Sequence, residues 1–446
     1  MQVGKTAGNV LKVFSGQSLS FVINTFTGFL LLHYLTPDDF GLYSVPADFI
    51  NMVVLGVLSL FTNLNQKFIS EYLGRGEVNK LKGVLWLSLL YFSAWGIIFS
   101  VVFLAFAEYI SEYIMRNPEY SYPLRLYSFG IPFLALSLYM SSVLNGFGKF
   151  RELALNDVII PTVSRAIFLV ILLPLYPLKV FVAIFSTNIK YFVNFLSNLW
   201  VSWGVLRKVF FGQKEYDFKS WLRYGIPIWL KYWLGLIQNN IKPVLVGSFV
   251  GVFSGGVFKA ASLISSGVYI LEVSVSNVLF IELSKEIGRG NFFNSALRIR
   301  GITLKMSAIM GVFSLISAVL GVLVLRFFGK GYEGGGIILS VIILGYYINS
   351  LSGIWQAFLQ ASGRSDMVFL ISLVYSVVDI GLVLMLIKPL GILGAALSFP
   401  ISAVLITLLR FYLFYKISGV KPMGLKTLIL SSTFVVLFLI IIPVIA

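Results

Sequence analysis

Ile69-Ser70-Glu71-Tyr72-Leu73-Gly74-Arg75-Gly76 recurs, lightly edited, as Leu283-Ser284-Lys285-Glu286-Ile287-Gly288-Arg289-Gly290. Phe40-Gly41-Leu42-Tyr43 is echoed by Gly255-Gly256-Val257-Phe258. Leu144-Asn145-Gly146-Phe147-Gly148-Lys149 is echoed by Leu359-Gln360-Ala361-Ser362-Gly363-Arg364. The offsets are 214 or 215 residues, so one duplicated unit spans almost all of the 446-residue chain. A duplication of that size at a mean hydropathy of +0.92 points to a membrane transporter built from two related halves.

Hydrophobic residues make up 58% of the chain and charged residues 12%, about half the charged fraction of soluble domains. The chain therefore reads as a series of spans, each needing about 20 apolar residues to cross the hydrocarbon. The first run, Val13–Leu35, is too long for a signal-peptide core and reads as a retained helix. With no Cys, disulfides, thiolate metal sites and cysteine nucleophiles are excluded. The single histidine, His33, lies near the end of the first helix and reads as a headgroup-level anchor rather than a metal ligand. No metal site and no cofactor is expected.

Thirteen apolar runs read as helices: Val13–Leu35, Ser44–Asn65, Val84–Ala107, Leu124–Asn145, Ala154–Leu175, Leu178–Leu206, Ile226–Phe249, Val257–Ile281, Ile302–Leu325, Ile337–Gln360, Val368–Ile387, Gly391–Tyr415 and Thr427–Ala446. With the amino terminus placed in the cytoplasm, the inner connections carry 23 Lys and Arg and the outer ones 7. That positive-inside bias accounts for most of the +16 net charge without nucleic acid as a partner. Six helices per repeat is an even number, so both halves enter from the same side and the repeat is parallel. The expected organisation is a six-helix lobe over residues 1–206, an amphipathic cytoplasmic linker over 207–224, a second six-helix lobe over 225–416, and one further span in 417–446. The aromatic and basic residues interleaved in Arg207–Arg223 suit a segment lying on the inner membrane surface.

Several motifs carry less than their letters suggest. Gly329-Lys330-Gly331-Tyr332-Glu333-Gly334 fits the dinucleotide fingerprint, but it falls in a short loop between two apolar helices, with no strand before it. Gly4-Lys5-Thr6 lacks the leading glycine of a P-loop. The two Gly-Arg-Gly sequences follow the second helix of each half and read as glycine helix caps with a cationic inner-surface anchor, with a gating contact as the alternative. Phe40-Gly41-Leu42-Tyr43, after Thr36-Pro37-Asp38-Asp39, reads as a tight turn with interfacial aromatics. The longest outer connection, Glu108–Pro123, holds only scattered Glu108, Glu112 and Glu119, so the chain is not expected to be an enzyme.

The ionisable residues inside the spans carry more information, because a charge near mid-bilayer costs about 2.5–3.5 kcal/mol and should face a bundle interior or a wet cavity. They are Asp48, Asp157, Arg165, Lys190, Lys231, Lys242 and Asp379. Lys231 and Lys242 are eleven residues apart and return to nearly the same helix face. Such a basic stripe suits a water-filled cavity that receives an anion, with Arg165 and Lys190 as further cavity cations. The competing reading pairs each cation with a carboxylate on a neighbouring helix, Asp48 or Asp379 for the two lysines. Asp48, Asp379 and Asp157 are the candidate coupling or charge-pairing acids.

The residues 36–43 closing the first helix and 69–76 after the second resemble the polysaccharide-biosynthesis flippases of the multidrug/oligosaccharidyl-lipid/polysaccharide exporter superfamily. So do Leu222-Arg223-Tyr224-Gly225-Ile226-Pro227, the stretch 359–364, and Gly391-Ile392-Leu393-Gly394-Ala395-Ala396. The resemblance covers about residues 5–420. It implies an all-α polytopic plasma-membrane protein, with two six-helix lobes around a central cavity and alternating access. It also implies transfer of a lipid-linked oligosaccharide, on a polyprenyl phosphate or diphosphate, from the inner to the outer leaflet. H+ or Na+ would be the candidate coupling ion, and glycan-assembly proteins candidate partners. A multidrug and toxin extruder of the same fold is the alternative. Thirteen helices depart from the twelve or fourteen usual in the superfamily, which leaves open the role of any terminal helix pair.

Overall fold

The computed structural model describes residues 22–209, 212–329 and 331–445. Gly4-Lys5-Thr6, the start of the first apolar run, Lys330 and Ala446 lie outside the described residues. Among the described residues every regular element is a helix, and the described parts of the apolar runs fall on helices, with Leu124–Asn145 divided between two. We number them α1 (Val22–Tyr34), α2 (Pro37–Arg75), α3 (Val78–Ala105), α4 (Pro118–Ser128), α5 (Ile131–Gly146), α6 (Arg151–Leu175) and α7 (Lys179–Val209). There follow α8 (Phe218–Phe249), α9 (Val252–Gly288), α10 (Phe292–Phe328), α11 (Gly336–Ala361), α12 (365–390), α13 (392–418) and α14 (Leu425–Ile445). Nine helical stretches are long and apolar enough to cross a membrane, or ten if α4 and α5, bent by 51°, form one span.

That tally counts residues 365–418 as one element, yet 54 residues would run to about 80 Å at 1.5 Å per residue, against a hydrocarbon core of about 30 Å. The chain folds back instead. Gly391 takes φ 58° and ψ −136°, outside the region that residues bearing a Cβ adopt. Ser402 then donates to Asp379 Oδ1 at 2.9 Å, a contact that a straight helix would place some 35 Å apart. Thus α12 and α13 form an antiparallel pair.

Two of the three repeated motifs turn out to be helix stops. After α2, Gly76 is left-handed (φ 71°) and the Glu77 N–H reaches back to the Tyr72 carbonyl at 3.0 Å. After α9, Gly290 (φ 85°) and Asn291 N–H to the Glu286 carbonyl repeat that geometry at 3.2 Å. Gly148 and Gly363 do the same after α5 and α11, with Lys149 N–H on the Leu144 carbonyl at 2.9 Å and Arg364 N–H on the Leu359 carbonyl at 3.1 Å. These are six-to-one caps around a left-handed glycine, so two of the three echoes that betray the duplication end corresponding helices, and the third lies near the start of α2 and α9.

The chain divides into two compact units, residues 1–35 with 42–244, and residues 36–41 with 245–446. In the first unit α5 packs against α2, α3 and α7, and α6 lies beside α7. In the second, α11 packs against α9, α10 and the α12/α13 pair, which is the same neighbour pattern one repeat later. The division by packing falls at Val244, not in the 207–224 stretch, for an identifiable reason. Residues 218–224 already belong to α8, and that helix is fastened to the first unit. Trp221 Nε1 donates to Tyr72 Oη at 2.8 Å, Trp229 Nε1 to the Gly56 carbonyl at 2.6 Å, and Trp233 Nε1 to the Met52 carbonyl at 3.3 Å. Met52 lies within a π-helical turn, Asn51–Leu55, and Gly56 directly follows it, where the helix's own hydrogen-bond ladder is interrupted.

The expected outer loop, Glu108–Pro123, is likewise helical over much of its length, with a π-turn at Ile110–Ile114 and a 3-10 turn at Pro118–Tyr120. Arg125 ties it back through Glu108 at 2.7 Å. The Gly329–Gly334 stretch leads into a 3-10 turn at Glu333–Gly335, with no strand before it. In the second unit the two echoed glycines meet. A Cβ on Gly256 would lie 1.9 Å from the Pro37 carbonyl oxygen, and one on Gly41 would lie 2.2 Å from that of Val252. Small residues let helix backbones approach this closely.

Candidate functional site

The first unit brings three of the seven intramembrane ionisable residues together. On α7, Ser186, Lys190, Asn194 and Asn198 follow at four-residue intervals and so lie along one side of the helix. They face α6. Arg165 Nε donates to Ser186 Oγ at 3.4 Å, and Asn194 Nδ2 donates to Asp157 Oδ1 at 3.0 Å. Those two contacts fix an antiparallel register in which Lys190 falls opposite Pro161, midway between Arg165 and Asp157. Its ammonium lies within electrostatic reach of both the Arg165 guanidinium and the Asp157 carboxylate.

Each rung of this seam is held differently. Arg165 Nη2 donates to Tyr43 Oη at 2.5 Å, and the Tyr127 hydroxyl donates to the Tyr43 carbonyl at 2.9 Å. The echoed Phe-Gly-Leu-Tyr stretch is helical, part of the start of α2, and not the expected tight turn; its last residue reaches the unit interior instead of only anchoring an interface. Lys190 is half-buried and has no hydrogen bond or ion pair among the described residues. Asp157 Oδ1 accepts from Ser141 Oγ at 2.6 Å, Asn194 Nδ2 at 3.0 Å and Asn198 Nδ2 at 3.4 Å. Asp157 begins on a π-helical stretch, Ala154–Ile159, a local irregularity that often marks functional positions in helices. Asp157, Arg165, Lys190 and Asn194 are all partly exposed, while Ser186 and Asn198 behind them are fully buried.

The other predicted residues are placed apart from this seam. Asp48 lies on α2 with 4% of its surface exposed. Lys231 and Lys242 lie on α8, the former exposed and the latter half-buried. Asp379, 2% exposed, sits in the second unit, where Ser402 donates to it at 2.9 Å and Ser398 at 3.5 Å.

The second unit also holds a cluster that the sequence reading passed over. Glu272 on α9 and Arg410 on α13 are 5% and 8% exposed, and Asn349 on α11 bridges them. Asn349 Nδ2 donates to the two Glu272 carboxylate oxygens at 3.1 and 3.2 Å, and Asn349 Oδ1 accepts from Arg410 Nη1 at 2.9 Å. Arg410 Nη1 also donates to Ser352 Oγ at 2.9 Å. A signal for Glu272 was present, since it lies inside the Val257–Ile281 run. Arg410 likewise falls within the Gly391–Tyr415 run.

The sequence profile of a family described as polysaccharide biosynthesis protein matches residues 7–280. A candidate O-antigen transporter of Shigella flexneri is 22% identical over 406 residues, covering 86% of this chain and 92% of that protein. Among solved structures, the lipid II flippase MurJ in an inward closed conformation aligns with a TM-score of 0.70 and 17% identity, over 96% of this chain and 92% of its own. An inward-facing multidrug resistance MATE family transporter of the MOP superfamily also aligns at 0.70, with 15% identity, over 90% of this chain and 94% of its own. At these identities the structural likeness speaks for the fold, and the profile match over more than half the chain speaks for the family. The chain is a multi-pass membrane protein of the MOP-superfamily fold, and it belongs to the polysaccharide biosynthesis protein family.

Proposed function

We propose that this protein is a flippase that carries a lipid-linked oligosaccharide, on a polyprenyl phosphate or diphosphate, from the inner to the outer leaflet of the plasma membrane by alternating access. The amino terminus lies in the cytoplasm, and the substrate crosses without a chemical step. The observation that carries this reading is the pair of half-buried cations on the α6/α7 seam. Lys190 has no hydrogen bond or ion pair among the described residues, and Arg165 is oriented through Nε and Nη2 while Nη1 keeps its protons for a ligand. A cation held in a partly dehydrated site with no carboxylate in hydrogen-bond or ion-pair contact is a poor stabiliser of the fold but a good receptor for an anionic headgroup. Lys231 and Lys242 on α8, apart from the seam, are further candidate cations for the headgroup. Asp48 and Asp379 are the acids available to carry a coupling H+ or Na+, each within its own unit. The names of the Shigella relative and of the lipid II flippase support a lipid-linked glycan as cargo. The MATE likeness and the buried acids Asp379 and Glu272 favour the alternative, a multidrug extruder.

The test is binding of synthetic polyprenyl diphosphate to the purified full chain in nanodiscs. Arg165→Gln with Lys190→Gln should weaken binding by about tenfold or more, since a charge pair at 4 Å is worth about 4 kcal/mol at an effective dielectric of 20. Salt should weaken binding to the unmodified protein. Unchanged affinity in the double variant, together with efflux of cationic dyes that is lost in Asp379→Asn, would replace the flippase reading with the drug-exporter one.

A further inference from the structure

We infer that the Asp157 rung is a recognition site for the first sugar of the carrier-linked glycan, an inference that rests on the flippase reading. The argument starts from how Asp157 is held. Its Oδ1 receives three donors from two helices, Ser141 on α5 and Asn194 and Asn198 on α7, which fixes the plane of the carboxylate. Its Oδ2 has no hydrogen-bond partner among the described residues. Asn194 spends one amide proton on Asp157, and its Oδ1 accepts from Asn198 Nδ2 at 2.6 Å, so its second amide proton is unspent. Asp157 and Asn194 are half-exposed, whereas Asn198 is fully buried and acts as their backing. A clamp between helices needs only the oxygen already saturated. The outward remainder, one fixed carboxylate acceptor beside one amide donor, is the set that grips neighbouring hydroxyls or an acetamido group on a sugar ring.

Position along the seam supplies the second argument. A four-residue step along a helix advances about 6 Å. Asn194 is one such step from Lys190, and Lys190 one step from Ser186, the partner of Arg165. A diphosphate held by Lys190 and Arg165 would therefore present the group it carries at the Asp157 rung. The polarity admits one orientation only: the carboxylate repels the phosphates and accepts from hydroxyls, and the cations do the reverse. The seam thus reads as a two-part subsite, with charge at one end and hydroxyl chemistry at the other.

The experiment compares two ligands on the full chain in nanodiscs: sugar-free polyprenyl diphosphate, and the same carrier bearing one N-acetylhexosamine or hexose. The unmodified protein should prefer at least one glycosylated carrier by about tenfold. Asp157→Asn and, separately, Asn194→Ala should each bring that affinity ratio close to one, so that a failure of either variant to fold leaves the other as the test. Arg165→Gln should lower both affinities and keep the ratio. If the unmodified protein binds both carriers but shows no preference, or if the ratio survives both seam variants, the sugar subsite is wrong and the flippase reading stands. If the protein binds neither carrier, the flippase reading falls and this inference with it.

Discussion

Gly256→Ala adds one methyl group at the place where α2 and α9 touch through their backbones. The new Cβ would sit 1.9 Å from the Pro37 carbonyl oxygen and 2.9 Å from the Gly41 nitrogen, against an ordinary contact of about 3.5 Å or more. Neither neighbour is a side chain that can rotate away, so the two helices must part by more than 1 Å, on the order expected from that shortfall. Overpacking of this kind costs about 1–3 kcal/mol, and the better helix propensity of Ala returns only about 1 kcal/mol. We expect a net loss of about 1–2 kcal/mol. Gly235→Ala, inside α8 with no atom within 4 Å of its would-be Cβ, should gain about 0.5–1 kcal/mol for the same chemical change. The measurement is the midpoint of thermal unfolding of the purified protein in detergent, with the two variants compared side by side. The reasoning is refuted if Gly256→Ala melts at or above the unmodified protein, because the shifts must have opposite signs.

Three further outcomes follow from the packing and the repeat. Asn349→Ala should destabilise the second unit by about 1–3 kcal/mol for each buried partner left unsatisfied; Glu272→Gln, which keeps an acceptor for Asn349, should cost less, as chemical denaturation would show. Trp229→Phe should lose the indole bond to the Gly56 carbonyl and lower stability by about 0.5–1.5 kcal/mol, while Trp200→Phe, at a ring 82% exposed, should change little by the same assay. Because the chain lacks Cys, single cysteines at Arg75, Arg289 and Asp38 can be labelled without background. An impermeant thiol reagent on intact cells should reach only Asp38→Cys, and labelling of just one of the two Gly-Arg-Gly sites would break the parallel-repeat reading.

What could be read in advance was whatever a single helix decides for itself. The apolar runs needed only local hydropathy, and the four glycine caps repeat because each helix end demands a left-handed residue whatever its neighbours. Features that depend on a second helix were out of reach. Nothing in Asn51–Leu55 announces a π-turn, since it is supported by Trp229 and Trp233, some 180 residues away. The division at Val244 could not be seen in 207–224, because it is set by the tryptophans of α8 rather than by the composition of a linker. For the site, hydropathy picked out Arg165, Lys190 and Asp157 as expensive residues. Their meeting on one seam depends on the register of α6 against α7, and Ser141, Asn194 and Asn198 carry no charge to flag them. Glu272 was legible by the same rule and was overlooked.

Thr36 and the first turn of α2 (residues 36–41) pack with the second unit, against Val252, Gly256 and Tyr332, although the chain on either side belongs to the first. Gly41 is synthesised 211 residues before Val252. At about 5–20 residues per second the turn waits about 10–40 s for its partners, already outside the ribosome and in the company of the insertion machinery. The first unit can therefore close around α2 while the start of that helix stays unpacked, and the second unit cannot finish until the growing chain returns to it. A nascent chain arrested after Val244 would present this turn bare. For the same reason no single cut in the chain yields both units whole, so pieces expressed separately would have to exchange these six residues to assemble.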